Sequence, residues 1–105
     1  MTSPELPDGV TVETVYAVEI SYSPEARAKR PAVRLEHLTR VARLLREGTL
    51  IEAGGYLDWE SALLIFRAVS EQEAIDLIRD DVYLRSGVWL DDPKARAMAR
   101  VVIAR

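Results

Sequence analysis

His37 is the only histidine of the chain, and it lies three residues after Arg34 in the segment RLEHLTRVARL. In a helix, residues three apart lie on the same side, so the imidazole and the guanidinium project together. An imidazole exchanges protons near neutral pH, and a guanidinium binds anionic or phenolic oxygens. The pair therefore predicts a site of general acid or base catalysis. The structural alternative is a half-buried histidine beside an arginine whose stem covers apolar side chains.

A catalytic histidine needs an acceptor for one ring N–H, because that hydrogen bond sets the tautomer and stabilises the imidazolium. Asp58 is our choice for this role, since it follows the glycine pair Gly54-Gly55 in a turn after a short apolar segment. Asp81 and Asp91 are the alternative acceptors. An aspartate in a turn also serves its own backbone alone, which is the second interpretation of Asp58.

Aromatic residues near these turns are candidate walls of a small-molecule pocket. The four candidates are Tyr56, Trp59, Tyr83 and Trp89. In a domain of this size, the same rings also serve core and dimer contacts. We assign substrate binding to Arg34, Tyr56, Trp59 and Tyr83.

The composition excludes several classes of function. The chain of 105 residues has no cysteine and a formal charge of -3, and its basic residues are interspersed with acidic ones. A disulfide framework, a thiolate nucleophile and a multi-histidine metal site are excluded, which leaves only a carboxylate-rich site for a metal. The sequence shows no electropositive stretch suited to nucleic acid, no phosphate-binding glycine loop and no apolar run of membrane length. We predict a cytoplasmic protein without cofactor or metal, and without a nucleic-acid or membrane partner.

The first half of the chain predicts a strand and a helix after a poorly ordered leader, residues 1–9. Residues 10–22 alternate in polarity with a period of two, which predicts a strand. Pro31 is tolerated in the first turn of a helix, so we place the helix at about Ala32–Glu47, ending at Gly48. Its apolar stripe is Leu38, Val41, Ala42 and Leu45, and its water-facing residues are Glu36, Arg40, Arg43 and Glu47.

The second half predicts a hairpin, a helix and a last strand. Short apolar runs at 49–53 and 63–69 flank a turn and predict two paired strands. Ser70 opens the capping-box sequence SEQE, so a helix is expected at about Glu71–Arg79. The segment DDVYLRSGVWLDDP predicts a turn-rich connection, and residues 95–104 alternate as a final strand.

This order is the split βαβ pattern of a ferredoxin-like α+β sandwich, βαββαβ. Two helices cover only one face of such a sheet. The third strand is apolar on both faces, with Leu63 and Ile65 on one and Leu64, Phe66 and Ala68 on the other. We therefore expect a homodimer that packs sheet against sheet.

Three segments, RLEHL, EGTLIEAGG and VSEQEAIDLIRDDVYLRSGV, resemble the YciI-like (YCII-related domain) proteins in their order and spacing. That family has an Arg-x-x-His-Leu motif on the first helix, Gly-x-Leu then Ala-Gly-Pro on the second strand, and Asp-Pro-Tyr then Gly-Val after the second helix. The matching positions are Arg34, His37 and Leu38; Gly48, Leu50, Ala53 and Gly54; and Asp81, Tyr83, Gly87 and Val88. The resemblance covers nearly the whole chain after the leader and implies one YCII-related domain at 10–105.

The resemblance implies a dimeric α+β barrel with a His-Asp dyad in a cleft, and a relative that is a lyase eliminating chloride from a chlorinated hydroxyquinol. Two positions depart from the family pattern, since Gly55 and Val82 stand where the family has proline. Gly55 is expected to loosen the strand end that presents the dyad aspartate. The family's acidic position is assigned to Asp58 by its location after the glycine pair.

We predict a homodimer with a small-molecule cleft, in which His37 is the general acid or base, Asp58 orients it and Arg34 holds an anionic or phenolic oxygen. The reaction class is proton abstraction with elimination or isomerisation, without a cofactor, on a small aromatic or polyketide-like molecule. The alternative is a non-catalytic module that binds a metabolite or another protein.

Overall fold

The computed structural model describes residues 5–104 as one antiparallel sheet with helices on one face. The elements are β1 (Val10–Ser21), α1 (Ala26–Glu47), β2 (Leu50–Gly55), β3 (Ser61–Phe66), α2 (Glu71–Arg79), α3 (Val82–Arg85) and β4 (Lys94–Ile103). The four strands lie in the order β2-β3-β1-β4. The predicted ferredoxin-like βαββαβ sandwich is confirmed, with α3 as an added short helix.

The core lies between the sheet and the helices. Val18 of β1 lies opposite Leu64 of β3, and Tyr16 opposite Phe66, so these side chains share the helix-covered face. Val18, Leu64 and Phe66 are almost completely buried. Helix α1 packs on the β2 side of the sheet, and α2 packs on β1 and β4. The predicted hairpin of β2 and β3 is confirmed.

Helix α1 begins at Ala26, and the prediction that it begins at Ala32 was wrong. Pro31 lies inside the helix, where its missing N–H costs one backbone hydrogen bond. Contacts at the start of the helix hold the extra residues in place. Ala26 is buried and its N–H donates to the Ser23 carbonyl at 3.1 Å, while the Ser23 hydroxyl donates to the Gly87 carbonyl at 2.6 Å. The longer helix adds Arg30 to the face that carries the candidate site.

Helix α2 spans Glu71–Arg79 as predicted, and the Ser70 side chain accepts a hydrogen bond from the Glu73 N–H at 3.1 Å. The segment between α2 and β4 was predicted to be a turn-rich connection, and the structure adds a short helix to it. It contains α3, which Asp81 caps by accepting from the Tyr83 N–H at 2.9 Å. The helix forms because that aspartate satisfies a free N–H of its first turn.

The sheet face opposite the helices carries Leu63 and Ile65, which are half-buried in the single chain. The homodimer that would cover this face stays a prediction. Residues 1–4 of the predicted leader lie outside the described residues, and the domain limits also stay a prediction. No helix in the described part of the chain has the length and apolar character needed to cross a membrane.

Candidate functional site

A cleft of about 330 Å³ lies between α1, the end of β2 and the segment after α2. Its volume is in the range of small-molecule sites, about 300–1,000 Å³. Helix α1 contributes a stripe of side chains at helical spacing, namely Arg30, Arg34, His37, Leu38 and Val41. Aromatic rings and the glycine pair of β2 form the other walls.

His37 is bound to Asp81 at the inner wall of this cleft. The His37 Nδ1 and Asp81 Oδ1 atoms are 2.8 Å apart, and Asp81 is completely buried. An ionised carboxylate only accepts hydrogen bonds, so Nδ1 carries the proton. The Nε2 atom of the neutral ring therefore keeps its lone pair for a ligand or a proton.

Asp81 is held by groups from three directions. Besides His37, its oxygens accept from Arg40 Nη1 at 3.1 Å and from the Tyr83 N–H at 2.9 Å. Arg40 is itself anchored, because its Nη2 donates to the Leu77 carbonyl at 2.6 Å. Burial raises the pKa of Asp81, but the hydrogen bond and charge of His37, the Tyr83 N–H and Arg40 together lower that pKa below its usual value. The carboxylate is thus ionised at neutral pH.

Aromatic rings enclose the imidazole. Tyr83 stacks on His37 with ring centroids 3.6 Å apart and an interplanar angle of 8°. Trp89 meets both rings edge-on, at 5.4 Å from His37 and 5.3 Å from Tyr83. A ring face stabilises a cation placed over it, so this stack favours the imidazolium once it forms.

Trp59 closes the outer end of the cleft. Its ring lies under the guanidinium of Arg30 at 3.9 Å and near that of Arg27 at 5.0 Å, and it contacts Tyr22 at 5.4 Å. Its φ of 63° is unusual for a residue with a large side chain. The turn that carries Trp59 is therefore tied to the first part of α1 by aromatic and cationic contacts.

Residues 14–93 match the family model of the YCII-related domain. The chain belongs to this family. Its fold is similar to the solved structure of 5-chloro-2-hydroxyhydroquinone dehydrochlorinase (TftG) from Burkholderia phenoliruptrix AC1100, in complex with 2,5-dihydroxybenzoquinone, with a TM-score of 0.64. The two are 16% identical over 78% of this chain and 90% of that chain, a likeness that shows the shared fold. No curated protein matches the chain in sequence.

The expectation that Asp58 orients His37 was wrong for this YCII-related chain. Asp58 is exposed, and its Oδ1 accepts from the Glu60 N–H at 2.9 Å, so it closes its own turn. Asp91, the second alternative, is an exposed partner of Arg79 at 3.2 Å. Asp81, which was also an alternative, is the partner of the imidazole. The family's Asp-Pro-Tyr segment maps onto Asp81 and the tyrosine two residues later, and this match could have indicated the partner, but the dyad position had been assigned to Asp58.

The four residues assigned to substrate binding, Arg34, Tyr56, Trp59 and Tyr83, all line the cleft. Arg40 had been expected to face water, and this was wrong, since its side chain is 13% exposed and reaches Asp81. Helical spacing could have indicated it, because Arg40 lies three residues after His37. Arg30 was missed because the helix was expected to begin after it. Among residues 5–104, no three potential ligands from histidine, aspartate and glutamate form a metal-ligand group.

Gly55, the position where the family has proline, is packed against Tyr22. A Cβ at Gly55 would overlap the Tyr22 hydroxyl, and the ring carbon Cζ would be 3.1 Å away. Both residues line the cleft. The absence of a side chain at Gly55 therefore makes room for the Tyr22 ring in the cleft wall.

Proposed function

We propose that this protein binds a small organic molecule in the cleft and transfers a proton through His37, as a cofactor-independent lyase or isomerase. The observation that carries the proposal is the 2.8 Å hydrogen bond between His37 and Asp81 at the cleft wall. A lone histidine on a helix is commonly structural, but a buried carboxylate on Nδ1 leaves Nε2 as a positioned base.

In the proposed reaction, Nε2 of His37 removes a proton from a carbon next to a carbonyl group of the substrate. The C–H bond breaks and its electron pair forms a carbon–carbon double bond. In an elimination, a leaving group on the neighbouring carbon departs with its own bonding pair, and the imidazolium releases its proton to solvent. In an isomerisation, the carbonyl π pair moves to oxygen to give an enolate, which takes the proton back from the imidazolium at another atom. Asp81 and the Tyr83 ring stabilise the imidazolium in both cases.

The name of TftG gives the elimination branch a chemical precedent on the same fold. A dehydrochlorinase removes a proton and chloride from its substrate, which is a reaction of the proposed class. We extend the reaction class to this chain, with His37 as the base. We also propose that the chain acts as a homodimer in the cytoplasm.

The test is proton transfer by wild type and by His37→Gln, whose amide keeps polarity without the basicity of an imidazole. Chlorinated hydroxyquinols are assayed for chloride release, and cyclic hydroxy-enones for deuterium uptake from heavy water. General-base catalysis contributes about 10²–10⁴-fold, so turnover should fall by that factor in His37→Gln. Asp58→Asn is the matched control and should leave turnover unchanged.

Binding is measured in parallel with 2,5-dihydroxybenzoquinone. Turnover that survives in His37→Gln would contradict the role of His37. If the quinone binds wild type and His37→Gln equally and neither turns over any compound, the cleft belongs to a binding module, the alternative function.

A further inference from the structure

The cleft wall carries two positive charges that no carboxylate of the described chain neutralises. Arg30 and Arg34 line the cleft, and no aspartate or glutamate lines it. Within residues 5–104, neither guanidinium lies within 4.0 Å of a carboxylate oxygen. Six other arginines do pair with carboxylates: Arg40, Arg43, Arg67, Arg79, Arg85 and Arg100. Arg27, Arg46 and Arg96 also form no ion pair within residues 5–104, but none of them lines the cleft.

The two arginines lie on the same helix stripe as His37. With a rise of about 1.5 Å per residue, Arg34 lies about 4.5 Å and Arg30 about 10.5 Å from His37 along the axis of α1. Burial raises the pKa of the Tyr83 hydroxyl, whereas the charges of Arg30 and Arg34 act in the opposite direction. Both guanidiniums are therefore close enough to act on the tyrosine that stacks on the imidazole.

We infer that the cleft selects a planar molecule that bears a carboxylate, with Arg30 and Arg34 holding the carboxylate and His37 facing the reacting carbon. The inference concerns binding in the same cleft, and its catalytic meaning rests on the proposed function. Arg30 and Arg34 thus determine the specificity for the carboxylate of the ligand, and His37 is not needed to bind that carboxylate.

The shape and chemistry of the walls favour a carboxylate on a flat ring. A guanidinium binds a carboxylate through two parallel N–H donors. Arg30 and Arg34 lie one helical turn apart, and the Trp59 ring under the Arg30 guanidinium holds that charge at the cleft without neutralising it. The rings of Tyr22, Tyr83 and Trp89 and the aliphatic residues Val41 and Leu64 line the rest of the cleft. Such walls accept the faces and edges of a flat ring and would not solvate a second charged group.

The test compares two probes that differ only in charge, 2,5-dihydroxybenzoate and 2,5-dihydroxybenzamide. Both are planar six-membered rings with hydroxyl groups at positions 2 and 5, as in the quinone of the TftG structure. Binding is followed by the fluorescence of Trp59 and Trp89, both of which line the cleft. The acid should bind wild type at least ten times more tightly than the amide, and added salt should weaken this preference.

Arg30→Gln and Arg34→Gln should each lower the affinity for the acid by about tenfold and leave that for the amide unchanged. Arg46→Gln is the matched control, since Arg46 is an exposed arginine in the last turn of α1 and does not line the cleft. Folding of each variant is checked by circular dichroism. His37→Gln should keep the preference for the acid, so a failure of catalysis is distinguishable from a failure of this inference.

Equal binding of acid and amide, or no binding of the acid at millimolar concentration, would overturn the inference. A preference that survives in both cleft arginine variants would do the same. Phenyl phosphate is a third probe, and if it binds more tightly than the acid, the site selects phosphate and the carboxylate assignment is wrong.

Discussion

Replacing Asp81 should destabilise the fold more than replacing any other aspartate whose contacts are described above. Its carboxylate is completely buried and accepts from His37, from Arg40 and from the Tyr83 N–H. Asp81→Ala removes the acceptor oxygens of all three hydrogen bonds and leaves the guanidinium of Arg40, 13% exposed, with only the exposed Asp80 carboxylate at 4.0 Å. Breaking a buried ion pair by removing one member costs about 3–5 kcal/mol.

Asp81→Asn separates the charge from the shape of the side chain. Its amide oxygen still accepts from the Tyr83 N–H as a helix cap, and from His37, so those two bonds persist. Its NH₂ group faces the donors of Arg40, and the charge-assisted bond is lost, which costs about 1.5–3 kcal/mol. The asparagine variant should therefore be intermediate between wild type and Asp81→Ala.

Urea unfolding followed by circular dichroism measures these free energies, with the midpoint expected to shift at an unchanged slope. Asp58→Asn is the control, because the exposed Asp58 accepts only from the Glu60 N–H and asparagine can accept the same bond. It should change the free energy of unfolding by less than about 0.5 kcal/mol. If Asp81→Ala cost no more than Asp58→Asn, the account of Asp81 as the centre of this network would be refuted.

Three further predictions concern pH and packing. The pKa of Asp81 lies below its usual 3.8, so its ionised form stabilises the fold above that pH and this contribution is lost as the pH falls through the lower native pKa. The difference in free energy of unfolding between wild type and Asp81→Asn, measured in urea at acidic pH, should therefore become smaller as the pH falls below 3.8, and a difference that stays constant would contradict this. Gly55→Ala should lower the free energy of unfolding by about 1–3 kcal/mol, because the new methyl group displaces the Tyr22 ring. Gly54→Ala is the control and should be nearly neutral, since a Cβ at Gly54 has open space. Equal urea midpoints for the two variants would contradict the packing argument. Burial raises the pKa of Tyr83. Absorbance titration at alkaline pH should therefore show one tyrosine that ionises at a higher pH than the others, and this transition should be absent in Tyr83→Phe. Ionisation of all four tyrosines in one transition would contradict the prediction.

The elements that local patterns specify were predicted closely. Helix α2 matches because Ser70 and the three residues after it contain the whole capping pattern within one turn. The start of α1 was missed because the rule that places proline in a first turn is local. A contact just before the start of α1 joins Ser23 to Gly87, which lies 64 residues away in sequence, and no local rule predicts it.

In the candidate site too, residues related by local spacing were predicted, and a residue that is distant in sequence was not. Arg34 and His37 were predicted from their helical spacing, and both line the cleft. The partner of His37 lies 44 residues away, so helical spacing and local turn patterns could not identify it. Asp58 was preferred because it follows a glycine pair, but the turn uses its carboxylate for its own backbone.

Because Asp81 caps α3 while it binds His37, its side chain stabilises the fold whether or not the protein catalyses anything. A relative without catalytic activity would still need this aspartate for stability. Its presence in a sequence therefore indicates the fold and not catalysis. Arg30 and Arg34 form no ion pair within the described residues, and apart from the contact of Arg30 with the Trp59 ring the fold constrains them less than it constrains Asp81. Among YCII-related proteins, the residue types at these two positions of the first helix should therefore correlate with the ligand that each protein binds.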